Sequence, residues 1–391
     1  MKYVSAKDSQ KYFETRTVKG TGTFTNPLVG DLRRIFESQP PNTTLQLLDG
    51  TGEFHLRAAE NQTDFENRSI ECFSPGLIVL GAGTYRTNII LDHHPENSSV
   101  MVYSSLGVEL HDLTIDVAST GQETHSRHGL IFGGSNCLAK RVRVCGVFGN
   151  KSHGASGDEA WAFSLGTPQP GVIQRNTRAI ECVAEDFLGD YVNAFDPGIG
   201  KDCVIQRCTA NLPSGLDEQG NVREVHMVGI NLFHHVDALI EGNKINGGST
   251  AIYGESPFDG GIIRRNCVRD SIHGIRFLRH AVMRDCLIEE NLIALEERVR
   301  GGVAIGLYTT LDGALIENVR VCRNTLRGSE GMVALDLQST HSGDPSSTTP
   351  DRVRHVRFHD NDVTSDAIFK NCESVHFQDN HWMDGTTLDA K

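Results

Sequence analysis

The sequence predicts an all-β fold: a right-handed parallel β-helix solenoid with a short N-terminal capping helix. Three observations predict it. A hexad of apolar, two polar or small, Asn, any and apolar residues returns six times in the C-terminal half. A small residue followed by a short alternating strand returns nine times between Gly129 and Ala367. No helical period separates these strands, so they are coils of a repeat and not βαβ units.

The first segment differs from the rest. Asn26-Pro27 is a helix start signal, and Leu28 to Phe36 has apolar residues at helical spacing. Pro40-Pro41-Asn42 then turns the chain into Leu45–Leu48. A cap of this kind is needed because an open coil end exposes unpaired strand edges and core. The expected division is a cap over 1–78, the solenoid over 79–382 and a tail over 383–391.

The hexads are Ile240–Ile245, Ile263–Val268, Ile288–Ile293, Val321–Leu326, Phe358–Val363 and Phe377–Trp382. They are centred on Asn243, Asn266, Asn291, Asn324, Asn361 and Asn380. Asn tolerates the left-handed backbone of a sharp bend, and stacked Asn side chains bond to one another along a solenoid axis. A structural ladder is expected. The alternating strands begin at Gly129, Ala162, Ala194, Gly229, Ala251, Gly274, Ala304, Ala334 and Ala367, with spacings from 22 residues (Gly229 to Ala251) to 35 (Ala194 to Gly229). The short spacings fit bare three-strand coils, and the long ones carry inserted loops.

Composition bounds the rest. Hydrophobic residues at 38% and 40 glycines describe a globular, turn-rich chain, with no apolar run long enough to span a membrane. A formal net charge of −13 disfavours nucleic acid and anionic membranes as partners. Ten cysteines without a CxxC pair read as thiols packed in strands, which fits a reducing compartment. Met1 to Asp8 has no apolar leader, so a cytoplasmic protein is expected, or a secreted one if a leader has been removed.

Alternation then assigns faces. With the first large apolar residue of each strand as position zero, pointing in, Phe132, Leu165, Leu232, Phe277, Leu307 and Leu337 point in at position two. Pro197, Gly254 and Lys370 break that pattern. Position one, pointing out, reads Ile131, Ser164, Asp196, Asn231, Tyr253, Arg276, Gly306, Asp336 and Phe369. Position three includes Glu255, Tyr308 and Gln338. Carboxylates, tyrosines and an arginine on one strip suit sugar binding. Glu255 and Arg276 should lie roughly 8 Å apart at Cα, and Asp196 and Glu255 roughly 12 Å. Asp196, Glu255, Arg276 and Asp336 are the expected catalytic residues. Tyr253, Tyr308, Asn231, Trp161, His273, His128 and Arg279 are expected to bind substrate. His128 and His273 each precede a strand glycine, as turn residues or as acid–base groups at the edge of the strip. Asp158-Glu159 and Asp217-Glu218 read as solvated loops. His93-His94 and His234-His235 have no third ligand at a specific spacing, so neither a metal nor another cofactor is expected.

Two stretches resemble known families. The N-terminal helix and Leu77–Leu91, with Gly81-Ala82-Gly83 and Thr87-Asn88-Ile89, resemble the opening of the pectate-lyase-like β-helix superfamily. Tyr191–Gly198 resembles the "Y-G-F-D-P-H" segment of mannuronan C5-epimerases and related alginate lyases. Phe195, Asp196 and Pro197 match it, and Gly198 stands where that family has histidine. The resemblance implies a carbohydrate-active enzyme that hydrolyses, transfers or eliminates at a glycosidic bond of an oligo- or polysaccharide, with Asp196 on the working face. Alternatives are a uronate C5-epimerase, a non-catalytic glycan-binding β-helix, and an intracellular small-molecule enzyme on this fold. Such proteins often form dimers or trimers.

Overall fold

A computed structural model describes residues 14–19, 35–48, 53–57, 67–72, 74–93, 99–104, 106–123, 126–149, 159–166, 173–197, 200–232, 235–255, 257–278, 282–299, 301–309, 314–328, 331–339, 353–365, 367–370, 372, 374–382 and 387–388. They form a right-handed parallel β-helix. One coil shows the plan. Thr250–Gly254 lies in a front sheet, Phe258–Asp259 in a narrow sheet, and Ile262–Arg264 and Cys267–Ser271 in a bent sheet. The chain then returns to the front at His273–Phe277. No described helix is long and apolar enough to cross a membrane.

The front sheet carries nine consecutive parallel strands. They are β1 (Arg127–Phe132), β2 (Ala160–Ser164), β3 (Tyr191–Asp196), β4 (His226–Leu232), β5 (Thr250–Gly254), β6 (His273–Phe277), β7 (Val303–Thr309), β8 (Val333–Ser339) and β9 (Ala367–Lys370). Their register follows the apolar residue at position zero. Leu130, Phe163, Phe195, Ile230, Ile252, Ile275, Ile305 and Leu335 are paired in series and fully or almost fully buried. The six apolar residues expected inside at position two are all buried. Gly254 breaks that pattern because a Cβ there would sit 2.5 Å from the Phe277 ring, which fills the space instead. In the last coil the expected register slips by one: Leu335 pairs with Ala367, so Ile368 and not Phe369 lies opposite Asp336.

The asparagine hexads form the predicted ladder. All six Asn side chains are at most 1% exposed. Asn291 Nδ2 donates to Asn324 Oδ1 at 2.9 Å and to the Ile263 carbonyl at 3.0 Å. Its own Oδ1 accepts from Asn266 through both the backbone N–H (3.0 Å) and Nδ2 (2.9 Å). The expected backbone role is corrected. The left-handed residue of each bend is the one before the asparagine: Gly242, Arg265, Glu290, Arg323, Asp360 and Asp379, with φ between 51° and 66°. The asparagines have ordinary backbone, and their task is to satisfy amides where the sheet bends. Cys208 precedes them in the column, its N–H donating to Asn243 Oδ1. All ten cysteines are free thiols.

Parallel pairing also runs N-terminal of Val79. Glu14–Lys19 pairs with Thr43–Leu48, and Thr44–Gln46 with Ile78–Leu80. Of the capping helix, residues 35–37 are helical, and 26–34 lie outside the described residues. At the far end Asn380 and His381 pair antiparallel with Leu388 and Thr387.

Asn291→Ala should strand several buried amide groups at about 1–3 kcal/mol each, partly relieved by relaxation, for a net loss of about 2–4 kcal/mol. A chemical-denaturation midpoint reads this. Lys244→Ala, one residue after a ladder asparagine but exposed, should leave the midpoint nearly unchanged. Equal effects of the two would contradict the ladder.

Candidate active site

Strand pairing brings the predicted position-one residues into one row. Ser164 pairs with Asp196, and Phe195 with Ile230, which sets Asp196 next to Asn231. Asn231 pairs with Tyr253, Tyr253 with Arg276, Arg276 with Gly306 and Gly306 with Asp336. Five strand spacings separate Asp196 from Asp336, roughly 24 Å. These two carboxylates therefore cannot act on the same bond, and the strip resolves into two clusters.

The first cluster centres on Glu159, just before β2. Its Oε1 accepts hydrogen bonds from Asn193 Nδ2 and from Asn231 Nδ2, the latter at 3.3 Å. His226 Nε2 lies 3.2 Å from the same oxygen, without hydrogen-bond geometry. Oε2 of Glu159 makes no hydrogen bond among the described residues. The His226 ring lies between Tyr191 (4.8 Å between centroids) and Tyr253 (5.6 Å, edge-on). The Tyr253 hydroxyl donates to Glu255 Oε1. Trp161, one strand from Asn193, stacks on His128 at 4.8 Å and 20°. An aromatic platform thus abuts the carboxylate cluster.

The second cluster centres on Asp336. Tyr308 Oη donates to its Oδ2 at 2.8 Å, and Gln338 Nε2 to its Oδ1 at 2.6 Å. The Tyr308 ring folds over Gly306, where a Cβ would come within 2.5 Å of it. The Arg276 guanidinium stands 5.8 Å from the ring centroid. Arg276 has no ion pair among the described residues, and its Nε is buried without a partner. Burial, then Asp336, pushes the Tyr308 phenol well above its ordinary range. It is a hydrogen-bond donor near neutrality and not a base.

His128 and His273 have matching structural roles. Nδ1 of each accepts the backbone N–H of the next coil, from Trp161 at 3.3 Å and from Val303 at 3.2 Å. Burial, and then the neighbouring Arg276, lowers His273 to about 3. Burial lowers His128 to about 4, with Glu159 pulling upward. Both rings are neutral acceptors, which fits the turn role better than the acid–base one. Arg279 and His234 lie outside the described residues, as do the side chains of His93 and His235. Asp217 accepts from the Asn221 amide at 2.7 Å within its own exposed turn and takes no part in the strip.

Glu159, Asn193 and His226 escaped the sequence expectation. Glu159 looked like a solvated loop residue. Asn193 and His226 lie upstream of the small residue from which positions were counted, two residues before Phe195 and four before Ile230. Their type alone, polar residues inside a buried strand pattern, was the available signal.

Trp161 Nε1, Asn193 Oδ1, His226 Nε2, Asn231 Oδ1 and Arg276 Nε are among the buried side-chain atoms that have no hydrogen-bond partner among the described residues. Native interiors leave few such atoms.

No protein-family model matches the chain, and no curated protein matches it by sequence. Solved structures do match. The Dettilon tailspike protein aligns at a TM-score of 0.61 and 12% identity, over 92% of this chain and 68% of the tailspike. The polygalacturonase from Erwinia carotovora ssp. carotovora aligns at 0.55 and 10%, over 97% and 95%. Endopolygalacturonase I from Stereum purpureum, solved with two galacturonates, aligns at 0.53 and 15%, over 93% and 100%. The chain thus shares the parallel β-helix fold of these proteins.

The neutral His273 makes a pH prediction. Its folded value of about 3 lies below the ordinary value near 6.5. Between these the unfolded state binds more protons, so the contribution is full above pH about 6.5 and is lost as pH falls toward 3. The stability advantage of wild type over His273→Gln should therefore shrink between pH 7 and pH 4.5 in denaturation midpoints. A pH-independent difference would contradict a buried neutral ring.

Proposed function

We propose that the chain is a carbohydrate-active enzyme that hydrolyses a glycosidic bond of an oligo- or polysaccharide lying along the front strip. The observation that carries this is the pair Glu159 and Glu255. Glu159 reaches across to Asn231 in β4. The next strand holds Tyr253, whose hydroxyl bonds Glu255. Through Asn231 and Tyr253 the two carboxylates are thus held on adjacent paired strands. Retaining and inverting glycosidases alike work with a pair of carboxyl groups flanking the bond. Converging amide donors suit Glu159 for holding a water or attacking the anomeric carbon through Oε2. Glu255 is given the protonation of the leaving oxygen, which needs its carboxyl to carry the proton and the Tyr253 hydroxyl to turn from donor to acceptor. Asp196 lies beside Asn231 and would orient substrate hydroxyls. Trp161 and the Arg276–Tyr308–Asp336 cluster would hold flanking sugars, the indole by stacking.

The fold neighbours agree with a saccharide ligand, because two of them are named polygalacturonases. One observation favours a second reading, β-elimination on a uronate. The Arg276 guanidinium, without an ion-pair partner among the described residues, would neutralise a sugar carboxylate. Against it, Tyr308 is held protonated.

Incubation with a panel of neutral and uronic polysaccharides, read by reducing ends and by the ultraviolet absorbance of unsaturated products, separates the readings. Reducing ends without absorbance are expected. Glu159→Gln and Glu255→Gln should each lower turnover by about 10²-fold or more, with the folding midpoint kept. The anomeric configuration of the first product reports the retaining or inverting course. Full turnover in both variants would sink the carboxylate-pair mechanism, and neither turnover nor binding on any saccharide would sink the carbohydrate reading. Tyr308→Phe should weaken substrate binding while leaving kcat within about tenfold, since the phenol is not the base; a collapse of kcat would favour elimination.

A further inference from the structure

A groove away from the front sheet takes no part in the strip. A cavity of about 370 Å³, lined by Asp285, Asn318, Arg320, His355, Arg357 and His376 among others, lies where the narrow sheet hands over to the bent sheet. Two columns wall it. The left-handed corner residues Asp285, Asn318 and His355 (φ 54–55°) form one. In the other, two residues further along each coil, Arg320 pairs with Arg357 and Arg357 with His376. Two guanidiniums and an imidazole therefore stand on consecutive coils, about 4.8 Å apart at the backbone. All three residues are exposed.

Like charges directly opposite on adjacent strands are destabilising. Elsewhere the solenoid relieves this with carboxylates. Arg264 bonds Glu241 at 2.8 Å, Arg354 forms an ion pair with Glu317 at 2.8 Å, and Arg323 bonds Glu289 and Glu290. Arg320 and Arg357 have no such partner among the described residues. Among the described lining residues the carboxylate is Asp285, which accepts from Asn318 Nδ2 at 3.1 Å. A second cavity of about 170 Å³, lined by Arg357, His359, His376 and Gln378, flanks the same column. The cationic column thus has open space along it, and among the described residues no carboxylate pairs with its arginines.

We propose that this groove is an oxyanion-binding site for an anionic chain. The Arg320 and Arg357 guanidiniums clamp a carboxylate, sulfate or phosphate group, and His376 extends the clamp along the solenoid axis. The planar guanidinium fork matches such groups and binds them bidentately. The coil repeat favours a ligand whose oxyanions recur along its length over one that carries a single charge. A chain of net charge −13 attracts an anion only through a local field, and two arginines without a carboxylate partner among the described residues, beside a cavity, supply one. The site shares no residue with the front strip and stands or falls separately from the hydrolytic reading.

Calorimetric titration of the full chain at constant ionic strength tests it, with trigalacturonate and inorganic sulfate as probes. Saturable binding to at least one probe is expected. The double substitution Arg320→Gln with Arg357→Gln should weaken it at least tenfold, and Arg327→Gln, exposed on the neighbouring strand of the coil, should not. Arg320→Lys with Arg357→Lys keeps the charge and should recover only part of the affinity, because the fork is lost. Binding of trigalacturonate alone identifies a chain ligand, and binding of sulfate an isolated oxyanion; both support the site. Absence of saturable binding to either probe, or equal affinities in wild type and the double glutamine variant, would overturn it.

Discussion

Everything in this molecule depends on parallel strand pairing held in register from coil to coil. Strands stack at a spacing of about 4.8 Å, and a residue at a given position in one coil meets its equivalent in the next. The inside of the solenoid is therefore a set of columns of like residues, such as Phe163 stacked on Phe195 at 4.9 Å. The outside is a set of columns too. A one-residue slip would turn every outward group inward, so the core's demand for Leu130, Phe163, Phe195 and Ile230 inside also fixes where Asp196, Asn231 and Tyr253 point.

The same constraint creates a polar problem at each bend, and the asparagine column answers it. Where the bent sheet turns, amides leave the regular ladder and must find acceptors within the interior. Each asparagine supplies an acceptor to the coil behind and donors to the coils on both sides. Because every rung uses its neighbours, the column resists loss of any single coil, and the front sheet inherits a rigid backing. That rigidity matters for a site assembled from several coils, since a misplacement of about 1 Å is enough to disable aligned groups.

Much of this was legible in the sequence, and the failures share a physical cause. The small-then-apolar pairs marked the strands correctly because both residues are buried: Ala162 with Phe163, Ala194 with Phe195, Ala251 with Ile252. That very fact breaks strict alternation. Two successive inward residues shift the outward set by one, so upstream of the pair the outward residues are those two and four before position zero. Asn193 and His226 occupy these places, and a count that runs only forward from position zero omits them. Glu159 was harder still, since it lies just outside β2 and reaches its partners through its side chain. The hexads announced a ladder, yet the left-handed residue was misassigned because Asn is merely the residue type most tolerant of that backbone. Here Arg265, Glu290 and Arg323 adopt it, and the tight hydrogen bonding of the following asparagine compensates their strain.

The distribution of unsatisfied groups separates scaffold from site. Along the bend, six buried asparagines with strong hydrogen-bonding demands are paired with one another and with backbone carbonyls. On the front strip, buried atoms of Asn193, Asn231, Trp161 and Arg276 are left without partners, at a cost of about 1–3 kcal/mol each where water is also excluded. The strip also places a small residue, Gly306, where it lets Tyr308 reach Asp336. Unsatisfied polar atoms beside two carboxylates and several aromatic rings are what a surface preorganised for a polar ligand requires. The regular ladder on the other faces supplies the stability that lets them persist.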